Sequence, residues 1–262
     1  MRKLIILTFL FLLSCATVPM TGRKQFVAIP SSQMISLSAE SYAQVLSEAQ
    51  LSDNTEYVNT VREVGKRLTV AVESYLKQNN MQSATEGYEW QYNVLKSEEL
   101  NAWCMPGGQI AFYEGILPVC QDENGIAVVM GHEIAHAVAQ HGNERMSQQL
   151  ALQMGGMALS EALKTQKQET LDLAMLAFGV GAQVGVMLPY SRTHESEADE
   201  LGLYFMAMAG YNPQTAPDFW KRMEAKSSAR PPEFLSTHPD PANRIDHLKQ
   251  VMPKAMEYYN AR

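Results

Sequence analysis

The 262-residue sequence predicts a mainly α-helical protein with one small antiparallel β-sheet, an α+β arrangement. Three observations lead there. The run Gly125-Ile-Ala-Val-Val-Met-Gly-His132-Glu133-Ile-Ala-His136 is apolar almost all round and carries two histidines four residues apart, as on one face of a buried helix. A second helix-compatible run, Glu195-Ser-Glu197-Ala-Asp199-Glu-Leu-Gly-Leu-Tyr-Phe-Met, again sets two acidic groups four apart. Only the stretch from Tyr88 to Tyr113 alternates with the period of a strand.

The composition, 46% hydrophobic and 19% charged, suits one globular core. The formal net charge of −7 argues against a nucleic-acid partner. Met1-Arg2-Lys3 followed by apolar Leu4 to Leu13 reads as a secretory signal too short to be a stable membrane span. Its ending, Leu12-Leu-Ser-Cys15, resembles a bacterial lipobox, which implies acylation of Cys15 and anchoring of the protein to a membrane. An ordinary cleaved signal with an incidental cysteine is the alternative. Ala16 after that cysteine points to the outer membrane, facing the periplasm, as the expected location. The expected organisation is then a signal over residues 1–14, a lipidated cysteine and tether over 15–30, and a catalytic domain over 31–262.

Tyr88-Glu-Trp-Gln-Tyr-Asn-Val-Leu reads as a first strand, and a second extended stretch runs through a Pro106-Gly-Gly turn into Gln109-Ile-Ala-Phe-Tyr. A sheet edge beside an active-site helix can take a substrate as an added strand, and Asn101 and Ala102 are the candidates for that edge. On the helix that follows, His132 and His136 can bind one Zn²⁺ through a nitrogen each, with Glu133 as general base on a metal-activated water. A catalytic zinc takes a third protein ligand, for which Glu195 is the best candidate, while Asp199 can hold a ligand ring, that of His132 in the first instance. No covalent acyl-enzyme is needed, so Cys104 and Cys120 are bystanders between which a disulfide is allowed but not required. Between the two motifs lie a helical pattern from Glu144 to Lys164 and an apolar stretch from Leu171 to Leu188. The latter has the length of a membrane span, but Asp172 and Gln183 interrupt it and glycines are numerous, so a buried or groove-lining helix ending at Pro189 is expected instead. A Pro-rich loop at Pro231-Pro232 carries His238, and a last helix is expected from Pro241 to about Tyr259, with Arg244 either pinning the loop through a nearby carboxylate or standing as a solvated charge.

Four blocks together resemble the zinc endopeptidases of the CAAX-prenyl-protease type and their bacterial relatives in envelope quality control. They are Asn101-Ala-Trp-Cys-Met-Pro-Gly-Gly with Tyr113-Glu-Gly-Ile-Leu, Gly131-His-Glu-Ile-Ala-His136, Ser191-Arg-Thr-His-Glu195-Ser-Glu-Ala-Asp199, and Ser236-Thr-His238-Pro. The resemblance implies a gluzincin-like fold, one zinc held by His132, His136 and Glu195, and Glu133 as base. It also implies that His238 faces the zinc, either as an oxyanion donor or as a latch on the open coordination position, and that Asn101 contacts substrate. The expected partners are unfolded envelope polypeptides, with the outer-membrane assembly machinery as a possible further one. A chaperone or assembly factor with latent proteolysis is the competing reading.

Overall fold

The computed structural model describes residues 15–226, 233–238 and 244–261. The predicted signal over 1–14 lies outside them, as do Pro231, Pro232 and Pro241. The helices are α1 (Ser31–Glu48), α2 (Thr55–Gln78), α3 (Leu117–Cys120), α4 (Glu123–Val138), α5 (His141–Leu163), α6 (Gln168–Ala182), α7 (Leu188–Met208), α8 (Ala216–Ala225), α9 (Glu233–Thr237) and α10 (Arg244–Asn260). Strands β1 (Cys15–Thr17) and β2 (Lys24–Phe26) pair antiparallel, while β3 (Gln91–Leu95), β4 (Ala102–Met105) and β5 (Gln109–Tyr113) form the central sheet in the order β3-β5-β4. The mainly helical α+β class expected from the sequence holds. Within the central sheet β4 and β5 form the antiparallel hairpin, and β3 joins the other side of β5 in parallel. Gly107 and Gly108 turn the hairpin at φ +103° and +92°, and a Cβ on Gly108 would lie 2.9 Å from the Trp90 side chain.

Helix α4 forms at the centre because its sequence is apolar on every side and its start is capped. Asp122 Oδ1 accepts the amide N–H of Gly125 at 2.9 Å, and every residue from Gly125 to Ala135 is buried. Helix α2 lays Val61, Val64, Leu68, Val72 and Leu76 against this centre at helical spacing. Helix α7 crosses α4 with backbone against backbone. A Cβ on Gly131 would lie 2.8 Å from the Gly202 carbonyl oxygen, and one on Gly202 would lie 2.7 Å from the His132 nitrogen. No side chain fits there, so the two helices approach closely, and the residues flanking the crossing face one another.

Three expectations are corrected. Residues 15–30 are not a free tether: Val18 is buried, and the segment lies along α5, with Asn143 Nδ2 donating to the Ile29 carbonyl at 2.8 Å and Ala28 N to Ser147 Oγ at 2.9 Å. Pro189 does not end a helix. A π turn at Gln183–Met187 precedes it and widens the winding where the proline lacks an N–H, and the helix continues into α7. The stretch from Leu171 to Leu188 is not buried, and Leu173, Leu176, Val180 and Val184 are exposed. By length and composition the continuous helix Gln168–Met208 could cross a membrane, its most apolar window having a mean hydropathy of 1.8. On its inner side Phe178 packs over Gly155 and Gly156 of α5.

The close crossing predicts that Gly202→Ala lowers stability by about 1–3 kcal/mol, since the added methyl meets backbone that cannot rotate away. Denaturant unfolding of the metal-free protein measures this, and an unchanged midpoint would contradict the crossing.

Candidate metal centre

The crossing of α4 and α7 brings the two sequence motifs together. His132 Nε2 lies 3.1 Å from His136 Nε2 and 3.4 Å from Glu195 Oε2, and His136 Nε2 lies 3.5 Å from Glu195 Oε1. From the end of α9, His238 points Nδ1 to within 3.3 Å of His132 Nε2 and 3.3 Å of Glu195 Oε2. The four side chains present one donor atom each within a common small volume.

These separations, 3.1–3.5 Å, match the spacing of ligands around a tetrahedral cation. Bonds of about 2.0–2.1 Å to a central zinc place neighbouring ligand atoms about 3.3 Å apart, the edge of the tetrahedron. The donor set, three imidazoles and one carboxylate, suits zinc. Two buried carboxylate oxygens, Glu195 Oε1 and Glu133 Oε1, have no hydrogen-bond donor among the described residues. Burial opposes a proton on His132, but the bonds to Asp199 and Glu195 outweigh it and raise the pKa to about 10. The same field that holds a proton there favours a divalent cation in its place. For His136 burial dominates and keeps the ring neutral, with its lone pair available. Burial would raise Glu195, but the three surrounding histidines pull it well below the ordinary carboxylate range.

Asp199 Oδ1 sits 2.9 Å from His132 Nδ1, on the opposite side of the ring from the donor cluster. Arg244, the first residue of α10, donates from Nε to Asp199 Oδ2 at 2.7 Å and from Nη2 to Glu195 Oε2 at 3.1 Å, and stacks on Trp220 at 3.9 Å. Its carboxylate partners thus belong to the site itself. Glu133 lies on the other side of the cluster, its Oε1 3.5 Å from His238 Nε2. Burial raises its pKa, an effect opposed by His238 and His132. His238 is held in place by Phe234, whose ring stacks on it at 4.7 Å and whose amide donates to the Leu100 carbonyl at 3.0 Å.

Asn101 and Ala102 stand at the start of β4, which pairs only with β5 among the described residues and so presents an edge. Ala102 is fully buried, main chain included, and its N–H is taken by the Asn101 side chain, so the accessible part of this edge is Asn101 and the residues after Ala102. Asn101 uses its carbonyl to accept from Tyr113 N at 3.0 Å and its side chain to accept from Ala102 N at 2.9 Å. Cys104 and Cys120 are both free thiols.

Sequence reading missed a second buried polar cluster behind His136. His141 Nδ1 lies 2.8 Å from His136 Nδ1, and His141 Nε2 lies 2.9 Å from Glu197 Oε2. Arg23 joins Glu197 to Glu144 with contacts of 2.8 Å to each, and His194 Nε2 meets Glu144 Oε2 at 2.8 Å. Burial would raise the Glu144 carboxyl, yet the bonds from His194 and Arg23 bring it down to about 2. The one sign of this cluster in the sequence is the three-residue spacing of His141 and Glu144 on α5 and of His194 and Glu197 on α7.

The sequence matches Peptidase family M48 over residues 62–252. It is 30% identical over 240 residues to the mitochondrial metalloendopeptidase OMA1 of Schizosaccharomyces pombe, covering 91% of this chain and 66% of that protein. The human mitochondrial metalloendopeptidase OMA1 is 29% identical over 246 residues, covering 91% and 46%. The β-barrel assembly-enhancing protease of Escherichia coli is 28% identical over 173 residues, covering 63% and 35%. The chain therefore spans less than two thirds of the length of each. The expected placement at a bacterial outer membrane is overturned: relatives matching across 91% of the chain are mitochondrial proteins. The metallopeptidase class expected from the four sequence blocks holds at the level of the family. With the match running from α2 into α10 and through every donor of the cluster, the chain belongs to Peptidase family M48.

Proposed function

We propose that the protein is a zinc-dependent endopeptidase acting on extended or unfolded polypeptides, with His132, His136 and Glu195 as metal ligands and Glu133 as general base. The observation that carries this reading is the ligand-like spacing of the donor atoms beside the buried Glu133, whose Oε1 has no hydrogen-bond donor among the described residues. The family and its relatives' names support it. A bound zinc ion supplies Lewis acidity and makes water nucleophilic near neutral pH. The protein's own groups do the rest. Glu133, desolvated and so more basic than a surface carboxylate, takes the proton from the attacking water and returns it to the leaving amine. Asp199 accepts a hydrogen bond from His132 Nδ1 and leaves Nε2 free to bind metal, and Arg244 keeps Asp199 ionised and holds both Asp199 and Glu195 in place. The edge of β4, partly exposed at Asn101 and from Trp103 to Met105, grips a substrate backbone as an added strand, which favours substrates whose chain is already unpaired.

His238 brings a fourth donor to the cluster, and we assign it the part of a latch. With Nδ1 at 3.3 Å from two of the other donors, it stands where a water has to enter. Opening requires the His238 ring to leave its stack on Phe234.

Two outcomes follow for the full-length protein assayed with casein. Glu133→Gln retains about one zinc per chain and loses cleavage on the order of 10²–10⁴-fold; equal loss of zinc would remove Glu133 from the base role. His238→Ala raises the cleavage rate and weakens zinc binding. A fall in rate on the order of 10²-fold would instead make His238 a transition-state donor. Asp199→Asn weakens zinc on the order of 10–100-fold in a chelator competition, and an unchanged affinity would separate Asp199 from the centre.

A further inference from the structure

We infer that the N-terminal segment is part of the metal centre: Arg23, acting through Glu197 and His141, holds His136 in the tautomer and orientation that ligation through Nε2 requires. This rests on the reading of His136 as a metal ligand.

The hydrogen-bond arithmetic allows one consistent assignment. A histidine that binds metal through Nε2 carries its proton on Nδ1. The one polar partner in reach of His136 Nδ1 among the described residues is His141 Nδ1 at 2.8 Å, which must then accept. A neutral His141 that accepts at Nδ1 carries its own proton at Nε2, and Glu197 Oε2 stands 2.9 Å away to receive it. Glu197 is in turn fixed by Arg23 Nε at 2.8 Å on the same oxygen and by the Thr21 hydroxyl on Oε1. Arg23 turns its remaining nitrogens to Glu144 at 3.2 and 2.8 Å. Because Glu197, already held by Thr21 and Arg23, can only accept, the His141 proton is fixed at Nε2 and the bond from His136 Nδ1 to His141 Nδ1 runs one way.

Geometry excludes two plainer roles for the cluster. It is not a second cation site, because the Arg23 guanidinium already occupies the space between Glu144 and Glu197. Nor is it a cheap way to fasten the strap. A buried ionic cluster is commonly no more stabilising than apolar packing of the same volume, and the strap is already tied to α5 at Ser147 and Asn143. What the cluster adds is direction on His136, which matches the direction Asp199 and Arg244 give to His132. The two ligand rings of α4 thus each lead from Nδ1 to a carboxylate held by an arginine. One arginine comes from α10, and the other from a hairpin turn that lies before the family match begins at residue 62.

The test uses the full-length protein, zinc affinity by competition with a chromophoric chelator, thermal unfolding of the metal-free form, and four variants. His141→Phe keeps the ring volume and removes the acceptor. His141→Asn puts an amide oxygen where Nδ1 stands. Arg23→Met cuts the line at its far end. His194→Phe serves as the control, because His194 stacks on His141 at 4.3 Å and bonds to Glu144, which lies off the line from Arg23 through Glu197 and His141 to His136. As positioning residues, His141 and Arg23 predict zinc weakened on the order of 10–100-fold in His141→Phe and about 10-fold in Arg23→Met. His141→Asn stays within a few-fold of the parent, and His194→Phe loses stability but not affinity. A merely structural role predicts the reverse order, with Asn worse than Phe because it leaves a void, and zinc affinity following the unfolding temperature through all four variants. That result overturns the inference, as does His141→Phe with parental affinity. Should His141→Phe fail to fold, Arg23→Met against His194→Phe decides on the same readout. A parent that binds no zinc overturns the metal-centre reading, and the inference with it, which distinguishes the two failures.

Discussion

Helices α4 and α7 touch backbone to backbone at Gly131 and Gly202, and the rest of the site depends on that contact. The atoms facing each glycine, 2.7 to 2.8 Å from where a Cβ would be, are peptide atoms that cannot swing aside. Because the axes come this close, the rings of His132 and His136 on one helix and the carboxylate of Glu195 on the other meet at ligand spacing instead of across a layer of packing. The apolar shell around them, from α2, the sheet and α8, then supplies the low dielectric in which a few charges act strongly.

Those charges are arranged in opposed pairs. Glu195 and Asp199 share Arg244, while Glu144 and Glu197 share Arg23. Each buried acid would be costly alone. Paired, they orient the imidazoles between them, so the protein invests desolvation in direction more than in stability. His238 differs in kind. It comes from a short helix, is held mainly by Phe234, and reaches the same donor cluster from outside the α4–α7 crossing. A rigid three-residue set approached by a separately mounted fourth residue is an arrangement in which the fourth can leave without dismantling the others.

The parts of this that were legible in the sequence share a physical reason: they repeat on a helix. His132, Glu133 and His136 declare themselves because the four-residue spacing puts chemistry on one face of an apolar segment, and Glu195 with Asp199 does the same on the second helix. The turn at Gly107 and Gly108 and the strands around it were legible from alternation and glycine. Long-range charge pairing was not. Nothing in Arg23 itself points to Glu144 or Glu197, more than a hundred residues away, and so the segment from 15 to 30 read as a tether. The stretch from Leu171 to Leu188 read as core because apolar composition does not say which partner covers it. Pro189 read as a stop because the π turn that accommodates it leaves no mark in the sequence. The direction of β3 was equally hidden, since alternation is the same in parallel and antiparallel pairs.

X-ray absorption at the zinc edge on the metal-loaded, full-length protein probes the central claim most directly, because it reports the atoms around the metal without requiring a substrate. The account predicts about four light-atom ligands at about 2.0–2.1 Å, with the outer-shell scattering of three imidazoles, falling to two in His238→Ala. Sulfur scattering from Cys104 or Cys120, or an imidazole count that His238→Ala leaves unchanged, would contradict it.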